Sequence, residues 1–295
     1  MKRDELRALL EAAGVRPSRV SGQNFLIDEN LAQAIARDGV GDDAAPDDVV
    51  LEVGTGPGIL TELVLPRARH VVTVELDPRL AALARERLAL AGDRLTLVEA
   101  DALANKNQLE PRVLEALAGP LAGGARLRVV ANLPYAVATP LVVGLLAERL
   151  PLTLMVVMVQ LEAAERFAAG PGDEAYGAVS VLCGALCERV KLLRRVPPDV
   201  FWPRPKVTSA VVRFDPRPDR HDGFEALAEV TRALFNYRRK TLGKAARQVA
   251  EREPRLGWVD DAVGRLVQEG VLDPRRRPED LDVAGFRRIA ALKPQ

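Results

Sequence analysis

Between residues 49 and 159 the chain alternates short apolar runs with segments of helical spacing. The runs lie at 49–53, 71–75, 95–98, 127–131 and 152–159. They are short and largely unalternated, which predicts strands buried on both faces. Between them, Leu60, Leu63 and Val64, then Leu80, Leu83, Ala84 and Leu88 after Pro78, and the stretch 141–150 recur at helical spacing. Five strand–helix units in succession predict an α/β fold with a doubly wound, mostly parallel sheet. Upstream, residues 4–13 carry a helical stripe of Leu6, Leu9 and Leu10. Asp28 is placed to cap a helix through Leu31, Ala34 and Ile35 before a polar linker at 41–48.

After residue 160 the pattern changes. A helix is predicted at 162–169, and strands at 190–196 and 209–214. The Pro-rich stretch 197–206 between those strands suits neither a helix nor a central strand. Residues 215–222 read as a linker. Beyond them 224–235, 242–252, 259–268 and 283–292 have helical periodicity and no strand pattern. The division is therefore an α/β domain over 1–217 and a small helical domain over 218–295. The polar and helical insert at 102–124 has no assigned role.

Composition narrows the class. Hydrophobic residues make up 48% and charged residues 28% of 295, as in a soluble globular protein. No apolar run is long enough to span a bilayer, and the first residues resemble no secretory signal, so a cytoplasmic location is expected. Cys183 and Cys187, with only His70 and His221 elsewhere, supply no four-ligand zinc set; the thiols are expected to be buried and inert, and no metal is predicted. Net charge is only +1 but unevenly spread. From Glu188 onward there are 24 Lys/Arg and 16 Asp/Glu, a balance of +8, against −7 for the first 187 residues. A basic back half suits a polyanionic partner.

Two sites of chemistry stand out. Gly54-Thr55-Gly56-Pro57-Gly58 follows the first strand directly, where glycines let a ligand approach the backbone. Glu75 ends the second strand, where a carboxylate can accept both ribose hydroxyls, and Asp101 follows the third, where one can take an adenine amino group. Ile59 stands where a dinucleotide fingerprint needs glycine, and Pro57 lacks a donor for a pyrophosphate. The pattern therefore favours S-adenosylmethionine over NAD. At the end of the fourth strand, Asn132-Leu133-Pro134-Tyr135 offers an amide and a flat ring, which suit a flat, amino-bearing group.

Gly22-Gln-Asn-Phe-Leu26, the loop from Glu52 to Thr61, Asn132-Leu-Pro-Tyr135 and Phe201-Trp-Pro-Arg-Pro-Lys-Val207 with Ser209-Ala-Val-Val212 together resemble the ribosomal RNA adenine N6-dimethyltransferases over nearly the whole chain. The resemblance implies a Rossmann-like class I S-adenosylmethionine-dependent methyltransferase domain followed by a helical RNA-binding domain. It implies dimethylation of two adjacent adenines in small-subunit (16S) rRNA within an immature 30S particle, by a monomer. In the cofactor pocket it implies Asn24, the Leu26 backbone, Gly54, Gly56, Glu75, Asp101 and Asn132. Asn132 would also accept hydrogen bonds from the target amine, and Tyr135 and Phe201 would sandwich the flipped base. The RNA-binding candidates are Arg204, Lys206, Arg238, Arg239, Lys240, Lys244 and Arg247. Of these, Lys240, Lys244 and Arg247 are spaced as one helical face.

Departures from the family pattern are the weakly basic lead-in Arg19-Val20-Ser21, Ala136 after the tyrosine, Leu161 in place of a frequent lysine, and Thr208 in place of a frequent Asp. Three other readings compete: a large-subunit (23S) rRNA adenine methyltransferase, a non-catalytic RNA-binding assembly factor on the same scaffold, and an NAD oxidoreductase, which Ile59 disfavours.

Overall fold

The computed structural model describes residues 3–17, 23–41, 47–105 and 108–294. Arg19, Val20, Ser21 and Gly22, and residues 42–46 of the expected linker, lie outside the described residues. In chain order, α1 (Arg3–Ala12) is followed by β1 (Phe25–Leu26), α2 (Glu29–Val40), β2 (Val49–Val53), α3 (Ile59–Val64), β3 (His70–Glu75), α4 (Pro78–Arg87) and β4 (Leu95–Glu99). A short antiparallel pair, β5 (Leu103–Asn105) and β6 (Gln108–Leu109), leads to α5 (Pro111–Leu121), β7 (Leu127–Asn132), α6 (Ala138–Ala147), β8 (Leu152–Gln160) and α7 (Leu161–Ala168). Then come α8 (Ala178–Leu186), β9 (Cys187–Val196), β10 (Phe201–Trp202), β11 (Ser209–Pro216), α9 (Phe224–Phe235), α10 (Leu242–Arg252), α11 (Trp258–Gln268) and α12 (Val283–Ala290).

The seven-stranded sheet runs β4-β3-β2-β7-β8-β11-β9. β4, β3, β2, β7 and β8 are parallel, and β11 is antiparallel to β8. Every residue of β2 is buried, as an apolar strand covered on both faces requires. The chain winds outward from β2 to β4, then crosses to β7 on the other side. The switch point thus lies between β2 and β7, where open α/β sheets collect ligands at the carboxyl ends. The insert at 102–124 contains the helix of that crossover: Val113 and Leu117 of α5 are buried, and α5 packs on β3 and β4. At the amino ends, buried Asp48 pins β2 to β7. It accepts from Arg126 Nε at 2.8 Å and from buried Arg128 Nε at 2.6 Å.

Caps define the helix starts. Asp28 accepts the Leu31 N–H at 2.8 Å at the start of α2, and Asp77 accepts the Arg79 N–H at 2.9 Å with Pro78 at the first position of α4.

The chain divides into two compact units. One comprises residues 1–164 and 191–216; the other comprises 165–190 and everything from 217. A single cut at 217/218 therefore misses an excursion, because 165–190 gathers with the C-terminal helices. The reason is α8, a helix the sequence pattern did not reveal. It is apolar nearly all round and buried at Ser180–Cys183, Ala185 and Leu186, so it has no polar stripe to mark its period. Within this second unit the Phe235 ring stacks on Phe286 at 5.6 Å and meets Tyr176 edge-on at 6.0 Å, and the Tyr176 hydroxyl donates to the Leu281 carbonyl at 2.7 Å. Cys183 lies on α8 and Cys187 on β9, both buried.

Among the described residues no helix is long and apolar enough to cross a membrane, and no group of three or more His, Cys, Asp or Glu is placed to hold a metal.

Candidate active site

The turn after β2 is built to stay open to a ligand. Gly54 and Gly56 have φ of +83° and +53°, in the left-handed region that favours glycine. A Cβ on Gly54 would stand 3.5 Å from the Asn132 carbonyl oxygen, and one on Gly56 would stand 3.2 Å from the Phe25 ring. The turn is tied to β3, because the Gly54 and Thr55 N–H groups both donate to the Val74 carbonyl, at 2.9 and 3.2 Å. Glu75 completes the tie, accepting the Gly56 N–H at 2.8 Å through one oxygen and the Asp77 N–H at 2.9 Å through the other. Burial raises the Glu75 carboxyl above its usual range, while the backbone donors hold it down. The Leu76 N–H also hydrogen-bonds the carboxylate, which keeps acceptor capacity for a ligand.

These elements enclose a cavity of about 560 Å³. Asn24, Leu26, Gly54, Gly56, Glu75, Asp101, Asn132 and Tyr135 all line it, so the structure brings together every predicted cofactor residue and two of the three predicted catalytic ones. Asp101 is exposed, with one oxygen accepting the Leu103 N–H at 3.0 Å. The turn beyond β7 is held by the Leu133 N–H, which donates to the Met158 carbonyl at 3.0 Å. Asn132 Nδ2 donates to the Asn24 carbonyl at 3.2 Å. That bond orients the amide and leaves Oδ1 as its acceptor for a ligand.

Phe201 is the exception. It is 3% exposed and packs in the apolar cluster with Leu26, Ile35, Val156 and Val211 rather than lining the cavity. β10 is two residues long and pairs with β1, Leu26 opposite Phe201 and Phe25 opposite Trp202. Successive strand residues face opposite ways, and here Phe201 takes the inward side. The structure therefore does not bring Phe201 to the cavity wall beside Tyr135, where the expected sandwich would place it.

Sequence reading also missed Glu52. It is 2% exposed, lines the cavity floor and accepts the Thr61 hydroxyl at 2.5 Å. Burial pushes its carboxyl up to about 8; the Thr61 bond opposes this, and nearby Glu75 adds to it. An acid inside the apolar strand Val49-Val-Leu-Glu-Val53 was the available signal.

The basic candidates Arg204, Lys206, Arg238, Arg239, Lys240, Lys244 and Arg247 are all exposed. Lys240 precedes α10 instead of sharing a helical face with Lys244 and Arg247, because Thr241 is the N-cap of that helix. A run of three further arginines, Arg275 to Arg277, is exposed on a loop fastened to the start of α10. The Leu242 N–H donates to the Arg276 carbonyl at 2.6 Å, and the Gly243 N–H to that of Pro274 at 3.3 Å.

A glycine turn at the switch point, an acid at the end of the neighbouring strand and a cavity of nucleoside size fit S-adenosylmethionine: paired acceptors for a ribose diol, a second carboxylate at Asp101, and close backbone for the remainder. Fold and site together define a Rossmann-like class I S-adenosylmethionine-dependent methyltransferase. Residues 18–263 match the family described as ribosomal RNA adenine dimethylase. The chain is 40% identical over 296 residues to a ribosomal RNA small subunit methyltransferase A of Thermobifida fusca, covering 98% of this chain and 95% of that one. It is also 40% identical over 288 residues to the protein of that name from Rhodopseudomonas palustris, covering 95% and 91%. Among solved structures, a dimethyladenosine transferase from Plasmodium falciparum superposes with a TM-score of 0.74 at 24% identity, covering 90% of this chain and 95% of that one. The 23S rRNA methyltransferase ErmE gives 0.62 at 22%, covering 91% and 99%. At those identities the two structures speak for the fold alone. The chain belongs to the ribosomal RNA adenine dimethylase family, and it is an enzyme that uses S-adenosylmethionine as methyl donor.

Proposed function

We propose that this protein dimethylates the N6 amino groups of two adjacent adenines in small-subunit (16S) rRNA, acting as a cytoplasmic monomer on an immature 30S particle. The observation that carries the chemistry is the Asn132 amide at the carboxyl end of β7, its NH2 engaged by the Asn24 carbonyl and its oxygen left for the cavity. The choice of subunit is supported by relatives at 40% identity that bear the small-subunit name. No observation on the chain favours the large subunit.

S-adenosylmethionine, when bound, supplies an electrophilic methyl on a sulfonium. The protein's part is to position the acceptor. An adenine amino nitrogen is a poor nucleophile because its lone pair is delocalised into the ring. Asn132 Oδ1 accepts one of its N–H bonds and a neighbouring main-chain carbonyl the other, which favours a more tetrahedral nitrogen aligned for attack. No strong base is needed, since the proton becomes acidic once the methyl has moved. Tyr135 supplies the face on which the flipped base stacks. Burial raises its phenol above the ordinary value while the bond to Ser209 lowers it. Glu75 holds the cofactor's ribose, Asp101 its adenine, and Asn24, Leu26, Gly54 and Gly56 the remaining walls. Arg204, Lys206, Arg238, Arg239, Lys240, Lys244 and Arg247, with Arg275 beside the start of α10, meet phosphates.

Two variants test this division of labour. Glu75→Ala removes the carboxylate that hydrogen-bonds the ribose, so cofactor affinity measured by calorimetry falls by at least about 100-fold. Asn132→Ala, at saturating cofactor, lowers methyl transfer to 30S subunits by at least about 100-fold. A variant at Asn132 that still dimethylates at the parental rate would defeat the proposal.

A further inference from the structure

The Tyr135 hydroxyl and Ser209 Oγ lie 2.9 Å apart. Ser209 is fully buried, opens β11 and pairs with Gln160 of β8. Tyr135 is half-buried at the cavity, three residues past the end of β7. The near end of its turn is fastened to β8 through the Leu133 N–H and the Met158 carbonyl. The tyrosine is thus held from both ends by the same part of the sheet, through its main chain on one side and its hydroxyl on the other. A ring tethered only at Cβ samples several rotamers on a picosecond to nanosecond scale. A second tether at the para oxygen selects one ring plane, and stacking acts through that plane.

We propose that Ser209 is a positioning residue for methyl transfer: through its bond to the Tyr135 hydroxyl it sets the plane of the ring on which the target adenine stacks. The proposal rests on the reading of Tyr135 given above. Ser209 itself touches neither base nor cofactor in this scheme. It matters more here because Phe201 is turned into the core, leaving Tyr135 as the predicted base-facing aromatic that lines the cavity.

The test is a mutant cycle on methylation of 30S subunits. Ser209→Ala and Tyr135→Phe each break the bond and keep the ring. Each is expected to lower kcat/KM for the RNA roughly fivefold, the effect of one hydrogen bond, with cofactor affinity unchanged. The double variant is no worse than either single, because both remove the same bond. Ser209→Thr, which keeps the hydroxyl, restores the rate. Losses that multiply to ~25-fold in the double, parental activity in Ser209→Ala, or a matching loss of cofactor affinity would each overturn the proposal. Tyr135→Ala distinguishes the two levels of inference. If it methylates like the parent, the stacking role fails and the positioning role with it. If it is impaired while Ser209→Ala is not, only the positioning role fails.

Discussion

Glu52 offers a test that needs no RNA. Its carboxyl is 2% exposed and is pushed up to about 8, from an ordinary 4.5, with burial the largest cause. Between the two values the folded protein holds a proton that the unfolded chain has lost, so stability falls as pH rises. The contribution is fully present below about pH 4.5 and is lost as pH passes through about 8. Each pKa unit is worth about 1.4 kcal/mol, so the whole span of about 3.5 units amounts to about 5 kcal/mol. Glu52→Gln keeps the shape of the protonated acid and cannot ionise. Urea unfolding from pH 5 to pH 9 is then expected to show the variant gaining on the parent by about 1.4 kcal/mol per pH unit and levelling off above about pH 8. Parallel stability curves across that range would mean instead that Glu52 ionises in the folded protein as readily as in water.

Two further outcomes follow from placement. Phe201→Ala deletes a buried ring from the cluster around Leu26 and Ile35, and is expected to cost about 3–5 kcal/mol in denaturant unfolding; undiminished stability with weakened methylation would instead put the ring at the base. Replacing Arg238, Arg239 and Lys240 together by Ala should weaken binding to 16S fragments uniformly across sequences and reduce the slope of log affinity against log salt by about 2, whereas an unchanged slope would remove these side chains from the phosphate contacts.

Most of the scaffold was readable because its signals are local. Asp28 caps the helix it was expected to cap, and the apolar runs at 49–53 and 127–131 became β2 and most of β7. The Asn132 turn lines the cavity with Glu75 because both end parallel strands beside the switch point, a relation that strand order alone predicts. The failures are tertiary. A two-residue strand carries no period from which to tell that Phe201 faces in, and a helix buried all round such as α8 has no polar face to betray it. Ser209 meets Tyr135 across 74 residues of chain, so nothing near either residue announces the pair. Lys240 fell off the helical face because the N-cap comes one residue after it, a boundary that spacing does not resolve.

Product and substrate are tested together by one assay. Purified protein would be incubated with labelled S-adenosylmethionine and either unmethylated 30S or 50S subunits, and the modified nucleosides identified after digestion. The expected product is N6,N6-dimethyladenosine in 30S rRNA, at two adjacent positions, and none in 50S rRNA. Label confined to 50S subunits, or absent from both, would rule out dimethylation of small-subunit rRNA by this protein.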